Sequence, residues 1–254
     1  MLEAILFDLD NTLIDWTNCE FFGNWNEFRE PHLNKFYPYL CELGTPTIDL
    51  DKFKELYAVR MDAAWEVGRT TLKAPHLGRI LVDIAIEIGI SEEKLDMAAC
   101  LDAYGWGEIE GVVVFPDVFE ALTLLRDNGI RFGIVTNSSQ PMYTRDIELV
   151  HYDLLEYFPE CRLSASDVGY LKPHASIFQA ALDRLGTAAQ NTIFVGDNLN
   201  ADIYGAQQMG MKGVWRDVGR NHLSSNDVDI TPDATIKSLL ELPTIIDEWF
   251  PNNK

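Results

Sequence analysis

The chain has 254 residues, enough for one large domain or for a core domain with a smaller inserted one. Its 40 acidic and 20 basic residues give a net charge of −20. A field of that sign repels phosphate backbones, so we expect no nucleic-acid polymer as a partner. A small phosphorylated substrate is still compatible with this charge, because a bound metal and one lysine reverse the sign locally.

The spacing of the cysteines and the length of the apolar runs indicate the cellular compartment of the protein. The four cysteines are far apart and include no Cys-x-x-Cys spacing, so we expect neither a disulfide framework nor a zinc site. No basic start leads into a long apolar segment, and no apolar run reaches membrane-spanning length. We therefore expect a cytoplasmic protein with no membrane partner, and the sequence assigns no oligomeric state.

The first predicted element is a short buried strand of a parallel sheet over residues 4–7. Asp8 and Asp10 follow it directly. Alternate residues of an extended segment face the same way, so the two carboxylates can share one site. Two like charges at such a short distance repel each other. This strand end therefore predicts either divalent-metal chemistry or a perturbed acid pair.

After Ile14 the pattern becomes helical and rich in aromatic residues. Apolar residues recur every three or four positions between Leu72 and Ile88, as in an amphipathic helix. A capping serine, Ser91, with two acidic residues behind it predicts the start of another helix. No alternating, strand-like run interrupts this stretch. We interpret residues 15–111 as an inserted helical domain.

From Val112 onward, strands and helices alternate. The sequence predicts strands over 131–135, 161–164, 192–195 and 213–215, and helices from Pro116, from Pro141, from Ala175 and over 201–209. A polar, turn-rich stretch over 221–233 predicts a loop. Alternation at these lengths is typical of an α/β fold with a doubly wound parallel sheet. Residues 1–14 and 112–254 would form this core domain.

Polar residues also follow the later strands. These are Thr136-Asn137, Lys172-Pro173, and Gly196-Asp197 with Asp202 five residues further on. Taken singly, each has an ordinary explanation: a helix cap for the hydroxyl and the acids, a solvated surface charge for the lysine. Strand ends of an open parallel sheet, however, converge on one crevice. Together with Asp8, these residues therefore predict a single site.

On these four ordered motifs the chain resembles the haloacid dehalogenase (HAD) superfamily. Phe7-Asp8-Leu9-Asp10-Asn11-Thr12-Leu13 is similar to the first motif and Ile134-Val135-Thr136-Asn137 to the second. Leu171-Lys172-Pro173 is similar to the third, and Val195-Gly196-Asp197 through Asp202 to the fourth. The resemblance spans essentially the whole chain. It implies a Rossmann-like core, with residues 15–111 in the place of a C1-type cap.

The resemblance also implies roles for the acids. Asp8 would attack phosphorus and form an aspartyl-phosphate. An anionic nucleophile and an anionic phosphate repel each other, so Mg2+ would offset the charge. Its protein ligands would be the Asp8 carboxylate, the Asp10 main-chain carbonyl and the Asp197 carboxylate. The Asp10 side chain would then be free to protonate the leaving oxygen and later to activate water.

The remaining motif residues would bind the phosphoryl group or orient the groups that do. Thr136 and the Asn137 amide would bind phosphoryl oxygens, and Lys172 would neutralise the nucleophile and the transferring group. Asp202 would orient the metal or the lysine. The resemblance thus implies a Mg2+-dependent phosphatase acting on a small phosphorylated metabolite.

Other activities of the superfamily stay open at this point. A sugar phosphomutase also keeps both acids of the first motif, so sequence does not separate it from a phosphatase. Haloacid dehalogenases lack an acid at the position of Asp10 and use no metal, and phosphonatases usually lack that acid too. A non-catalytic regulator would be expected to have lost some of the motif acids, all of which are present here.

The insertion would decide the substrate, and its sequence has two readings. Its many aromatic residues would either stack on a substrate or simply build the core of a small helical domain. Arg69 and Arg79 are candidates for binding a second anionic group, although most such side chains are solvated.

Overall fold

The structure, a computed structural model, describes residues 1–21, 23–219 and 230–251. Its strands within these ranges are β1 (Ala4–Phe7), β2 (Ile14–Asp15), β3 (Val113–Val114), β4 (Arg131–Thr136), β5 (Cys161–Ser164), β6 (Thr192–Gly196), β7 (Lys212–Arg216) and β8 (Ala234–Ile236). Six of them form one parallel sheet in the order β5-β4-β1-β6-β7-β8. The predicted parallel sheet is therefore confirmed.

The α-helices are α1 (Trp25–Leu43), α2 (Leu50–Thr71), α3 (Leu77–Glu87), α4 (Met97–Tyr104), α5 (Val118–Asp127), α6 (Met142–His151), α7 (Ala165–Val168), α8 (Ala175–Leu185), α9 (Gly205–Gln208) and α10 (Leu242–Trp249). A π-helical segment, Leu199–Tyr204, precedes α9. Among the described residues, no helix has both the length and the apolar character needed to cross a membrane.

Strand β1 lies at the centre of the sheet. Phe7 is in register with Ile134 of β4 on one side and with Val195 of β6 on the other. The chain reaches β4 in one direction and β6 in the opposite direction, so β1 lies at the point where the strand order reverses. Ligands of open α/β sheets bind at this point, outside the carboxyl ends of the strands. The residues that follow β1 are thus placed at the centre of a crevice.

Both faces of β1 are covered. Ile5 and Phe7 pack into an apolar cluster that includes buried residues of α5, whereas Ala4 and Leu6 pack into a second cluster with α8. All four side chains are buried, as expected for an apolar strand with helices on both sides. This arrangement confirms the doubly wound α/β fold.

Helices α1 to α4 lie between β2 and β3, and residues 23–112 contain no strand. β2 and β3 pair antiparallel, with Ile14 opposite Val114, so the two chain crossings into the insertion run side by side. The insertion is helical, as predicted, and lies where a HAD cap is expected. The division of the chain into residues 15–111 and residues 1–14 with 112–254 remains our proposal.

Two local expectations need adjustment, and a third is largely untested. The periodic stretch from Leu72 does not form one helix: Leu72 ends α2 at φ 59°, and α3 begins only at Leu77. Pro75 lies between them and lacks the N–H that a continuous helix requires. The helix predicted over 201–209 instead begins as a π-helix at Leu199. Most of the loop predicted over 221–233 lies outside the described residues.

Candidate active site

The site residues predicted from the sequence come together at the carboxyl edge of the sheet. They line one cavity of about 560 Å3 between the sheet and the helical insertion. The residues are Asp8, Asp10, Thr136, Asn137, Lys172, Asp197 and Asp202. Although 194 positions separate the first from the last, parallel strands in register bring them to the same edge.

Lys172 lies between two buried acids. Its Nζ is 2.7 Å from Asp8 Oδ1 and 2.7 Å from Asp202 Oδ1, and it also donates a hydrogen bond to the Val135 carbonyl at 2.7 Å. Burial alone would lower the pKa of Lys172, but the Asp202 and Asp8 carboxylates outweigh it and raise the pKa. The side chain is therefore a fixed ammonium against the carboxylate of Asp8.

Asn137 holds that lysine in place. Its side-chain Oδ1 accepts a hydrogen bond from the Lys172 backbone N–H at 2.7 Å, and its Nδ2 donates to the Lys172 carbonyl at 3.1 Å. The side-chain amide is thus occupied by the Lys172 backbone rather than free for a phosphate. The expected role of Asn137 in phosphate binding would fall to its backbone amide.

Asp8, Asp197 and Asp202 form a compact acidic cluster, with one carboxylate oxygen from each lying within 4.8 Å of the others. Burial raises the pKa of Asp8 to about 7, and burial together with the Asp8 and Asp202 charges raises the pKa of Asp197 to about 8. Both shifts express the cost of holding negative charge here without a cation. Oxygen donors in this arrangement suit Mg2+, so these residues fit the metal that the family implies.

Asp202 is held more firmly by the protein than its neighbours are. Its Oδ2 accepts a hydrogen bond from the Asn198 backbone N–H at 3.0 Å, while its Oδ1 faces Lys172. Gly196 makes this approach possible, because a Cβ atom there would lie 2.3 Å from Asp202 Oδ2. The glycine is therefore required by close packing against Asp202. This position suits the orienting role expected of Asp202.

The Asp10 carboxylate accepts four hydrogen bonds that the sequence analysis did not anticipate. They come from Trp16 Nε1 at 2.9 Å, from Thr136 Oγ1 at 3.1 Å, and from Arg145 Nη2 and Nη1 at 2.9 and 3.2 Å. Burial would raise the pKa of Asp10, but the Arg145 guanidinium outweighs it and the pKa is lowered. The role expected of Asp10 in proton transfer stays a prediction, and the Thr136 hydroxyl proton is likewise engaged with Asp10.

Arg145 belongs to a buried network that the sequence analysis did not identify. Its Nε lies 3.0 Å from Glu148 Oε1, and the Trp106 indole N–H donates to the same oxygen. Burial raises the pKa of Glu148 to about 8, whereas the pKa of Asp10 is lowered. Arg145 therefore lies between a charged Asp10 and a largely neutral Glu148. Arg145 and Glu148 are three residues apart on α6, a spacing that most surface helices also contain. The sequence therefore carried no signal for them.

Trp16 and Trp106 connect this network to the insertion. Trp16 directly follows β2, and Trp106 lies two residues after α4, so each tryptophan sits beside one of the two chain crossings. The first donates to Asp10 and the second to Glu148. The position of the insertion is thus linked by hydrogen bonds to the acid beside the nucleophile candidate.

The roof of the cavity is aromatic. Trp16, Trp25, Phe28 and Trp106 pack edge to face, with ring centroids 5.6–6.1 Å apart. Three of these rings are buried and Trp25 is 44% exposed, so they serve both as core and as cavity wall. Arg69 also lines the cavity but pairs with Glu66 at 2.6 Å.

Comparison with known proteins agrees with this geometry. The chain is 28% identical over 253 residues to ribulose-1,5-bisphosphate 5-phosphatase of Halopiger xanaduensis, covering 97% of this chain and 100% of that one. It is 27% identical to glyceraldehyde 3-phosphate phosphatase of Pyrococcus abyssi, covering 100% and 98%. The crystal structure of a 2-haloacid dehalogenase from Pseudomonas syringae superposes with a TM-score of 0.67 at 25% identity, covering 98% and 100%.

The family model for haloacid dehalogenase-like hydrolases matches residues 2–210, which include every motif residue of the site. This match covers most of the chain and agrees with the fold, the central β1 and the cavity at its carboxyl end. The chain therefore belongs to the haloacid dehalogenase-like hydrolase family.

Proposed function

We propose that this hydrolase is a Mg2+-dependent phosphatase that cleaves a small phosphorylated metabolite through an aspartyl-phosphate on Asp8. The observation that carries the proposal is the surroundings of Asp8: Lys172 Nζ at 2.7 Å and an acidic cluster with Asp197 and Asp202. Two relatives are named as phosphatases of ribulose-1,5-bisphosphate and of glyceraldehyde 3-phosphate, which supports a phosphorylated sugar or a similar metabolite as substrate.

The Asp8 and Asp197 carboxylates, with the Asp10 main-chain carbonyl, would hold the metal. When bound, Mg2+ would neutralise the charge that otherwise keeps an anionic phosphate away from these acids. Lys172 contributes a permanent positive charge on the other side of Asp8. A crevice in a chain of net charge −20 thereby becomes able to accept a dianion.

In the first half of the reaction, an Asp8 oxygen forms a bond to phosphorus while the bond from phosphorus to the ester oxygen breaks. The departing alkoxide takes a proton, and Asp10, two residues after the nucleophile, lines the same cavity and is the acid proposed to supply it. To donate, Asp10 must hold a proton, so its two bonds to Arg145 have to loosen when substrate enters. This makes Arg145 the residue that sets the charge of Asp10.

In the second half, water attacks the phosphorus of the aspartyl-phosphate, the bond to the Asp8 oxygen breaks, and Asp10 removes the proton from water. The charged, four-times hydrogen-bonded Asp10 of this structure suits that step, because a carboxylate kept ionised is ready to accept a proton. Trp16 and Thr136 orient it through the contacts described above.

Two further parts of the proposal concern the whole protein. Residues 15–111 would act as a C1-type cap that closes over the cavity and excludes water. The cysteines Cys19, Cys41, Cys100 and Cys161 are all free thiols, which supports a reducing, cytoplasmic location.

Phosphate release from a panel of phosphate esters tests the proposal, with exhaustive chelation and readdition of Mg2+. Asp8→Asn should abolish turnover, because an amide cannot form the acyl-phosphate, and acid-quenched wild type should contain hydroxylamine-labile phosphate that the variant lacks. Asp153→Asn is a matched control, since Asp153 is exposed and its φ of 54° suits asparagine. Full phosphate release in chelator would contradict the metal-dependent mechanism.

A further inference from the structure

The roof of the cavity contains an arginine without a close acceptor. Arg29, on α1, lines the cavity with a side chain that is 13% exposed. Its Nη1 is buried and, among the described residues, has no hydrogen-bond acceptor. A guanidinium carries only donors, and leaving a buried donor unsatisfied costs free energy. Such a group in a folded protein therefore calls for an acceptor.

The carboxylate that pairs with Arg29 does not fill this role. Asp62 Oδ1 lies 3.8 Å from Nη1, beyond hydrogen-bond distance, and its side chain is 68% exposed. Because Asp62 is exposed, water and salt screen its charge, and at this distance the pair contributes little. The contrast with Arg69 is direct, since that arginine donates to Glu66 at 2.6 Å. In a chain with twice as many acids as bases, it is unusual for a largely buried arginine to have its paired carboxylate as far away as 3.8 Å.

Two buried tyrosines lie next to Arg29. The hydroxyls of Tyr57 on α2 and Tyr104 on α4 are 3.4 Å apart, and each residue is 1% exposed. Burial raises the pKa of both phenols, and the nearby Arg29 charge opposes the rise. Within such a pair, one hydroxyl donates to the other, so the second proton is left for another acceptor. Three helices of the insertion thus place an excess of donors among the residues that line the cavity roof.

The floor of the same cavity holds the acids and Lys172, so a ligand spanning it would meet both ends. We propose that the substrate carries a second anionic group, a carboxylate or a second phosphate, and that Arg29 with the Tyr57–Tyr104 hydroxyl pair binds this group in the roof. The inference rests on the proposed function, because it assumes that the ester phosphate occupies the floor beside Asp8. Arg29 is a specificity-determining residue in this account, and it takes no part in bond breaking.

Three compounds with the same two-carbon skeleton test the inference. Phosphoglycolate carries a carboxylate, ethylene glycol bisphosphate carries a second phosphate, and 2-hydroxyethyl phosphate is neutral at that end. Wild type should prefer at least one of the charged esters over the neutral one by about tenfold or more in kcat/KM, as expected for a charged hydrogen bond. The charged compound that is preferred identifies the anion.

In Arg29→Met the preference should fall to about twofold or less, whereas Arg29→Lys should keep part of it. Arg60→Met is the matched control, because Arg60 belongs to the same helical insertion, does not line the cavity and pairs with Glu87 at 2.7 Å, and it should keep the wild-type preference. Should Arg29→Met fail to fold, Tyr104→Phe should still reduce the preference. Equal kcat/KM for all three compounds in wild type, or a preference unchanged in Arg29→Met, would overturn the inference.

Calorimetric binding of the same compounds separates this inference from the proposed function. If no ester is hydrolysed, including p-nitrophenyl phosphate, the proposed function fails. The roof site is then judged on binding alone: tighter binding of the charged compounds that is lost in Arg29→Met supports it, and equal binding of all three rejects it.

Discussion

Glu148 should make the protein less stable as pH rises through neutrality. The folded protein retains the Glu148 proton up to a pKa of about 8, whereas an unfolded chain releases it near 4.5. The folded state therefore binds more protons between these values, and stability declines with increasing pH. At about 1.4 kcal/mol per pKa unit, this group removes about 3 to 4 kcal/mol between about pH 5 and about pH 8.

Glu148→Gln isolates this contribution. The amide oxygen can still accept from the Trp106 indole N–H, so this hydrogen bond is kept while the ionisation is lost. The variant should be similar to wild type at about pH 5 and more stable than wild type at about pH 8, by about 3 to 4 kcal/mol. Urea unfolding at several pH values gives the free energies, and similar m-values would show that the denatured state has not changed.

Glu156→Gln provides the control, because Glu156 is exposed and undergoes the same chemical change. Its pH dependence should follow that of wild type, which includes the contributions of Asp8 and Asp197. Parallel wild-type and Glu148→Gln curves across this pH range would refute the reasoning that Glu148 is held neutral by burial beside Arg145.

At a Mg2+ concentration a hundred times its dissociation constant, the metal should stabilise the protein by about 2.7 kcal/mol. Asp197→Asn should lose most of this stabilisation in thermal melts. An equal stabilisation of the variant would contradict the assignment of Asp197 as a metal ligand. Lys172→Met should cost about 3 to 5 kcal/mol in chelator, because two buried carboxylates lose their counter-charge; an unchanged urea midpoint would argue against this. Gly111→Ala should destabilise more than Gly129→Ala. Both glycines have positive φ, but only at 111 would a Cβ meet a carbonyl oxygen, that of Asn18 at 2.2 Å. An equal loss of unfolding free energy in the two variants would show that backbone strain at positive φ, and not the contact with Asn18, sets the cost.

Several features of the site could be predicted because they depend on local sequence and on sheet geometry. An apolar run followed by Asp8 and Asp10 predicts a buried parallel strand with acids at its end, and β1 has this form. Asp197 directly follows β6, so its convergence on Asp8 needs only parallel strands in order. Such information is present within short segments of the chain. Lys172 lies beyond α7 and is positioned by Asn137 as well.

The state of Asp10 could not be predicted in this way. It depends on Arg145, which lies 135 positions away on a helix and looks like any surface arginine in the sequence. The same is true of Arg29, which the sequence analysis passed over in favour of Arg69 and Arg79. Only the packing of helices decides which arginine is buried, which is paired and which faces a cavity.

The sequence by itself determined the α/β fold, the helical nature of the insertion and the motif residues at the carboxyl edge of the sheet. Hydrophobic periodicity and strand-end motifs are local signals, and parallel pairing converts them into one site. The tertiary structure alone decided the charge of Asp10, the buried Arg145–Glu148 pair and the donor-rich roof around Arg29. Charge states and the pairing of polar groups depend on burial and on partners distant in the chain, which no local pattern records.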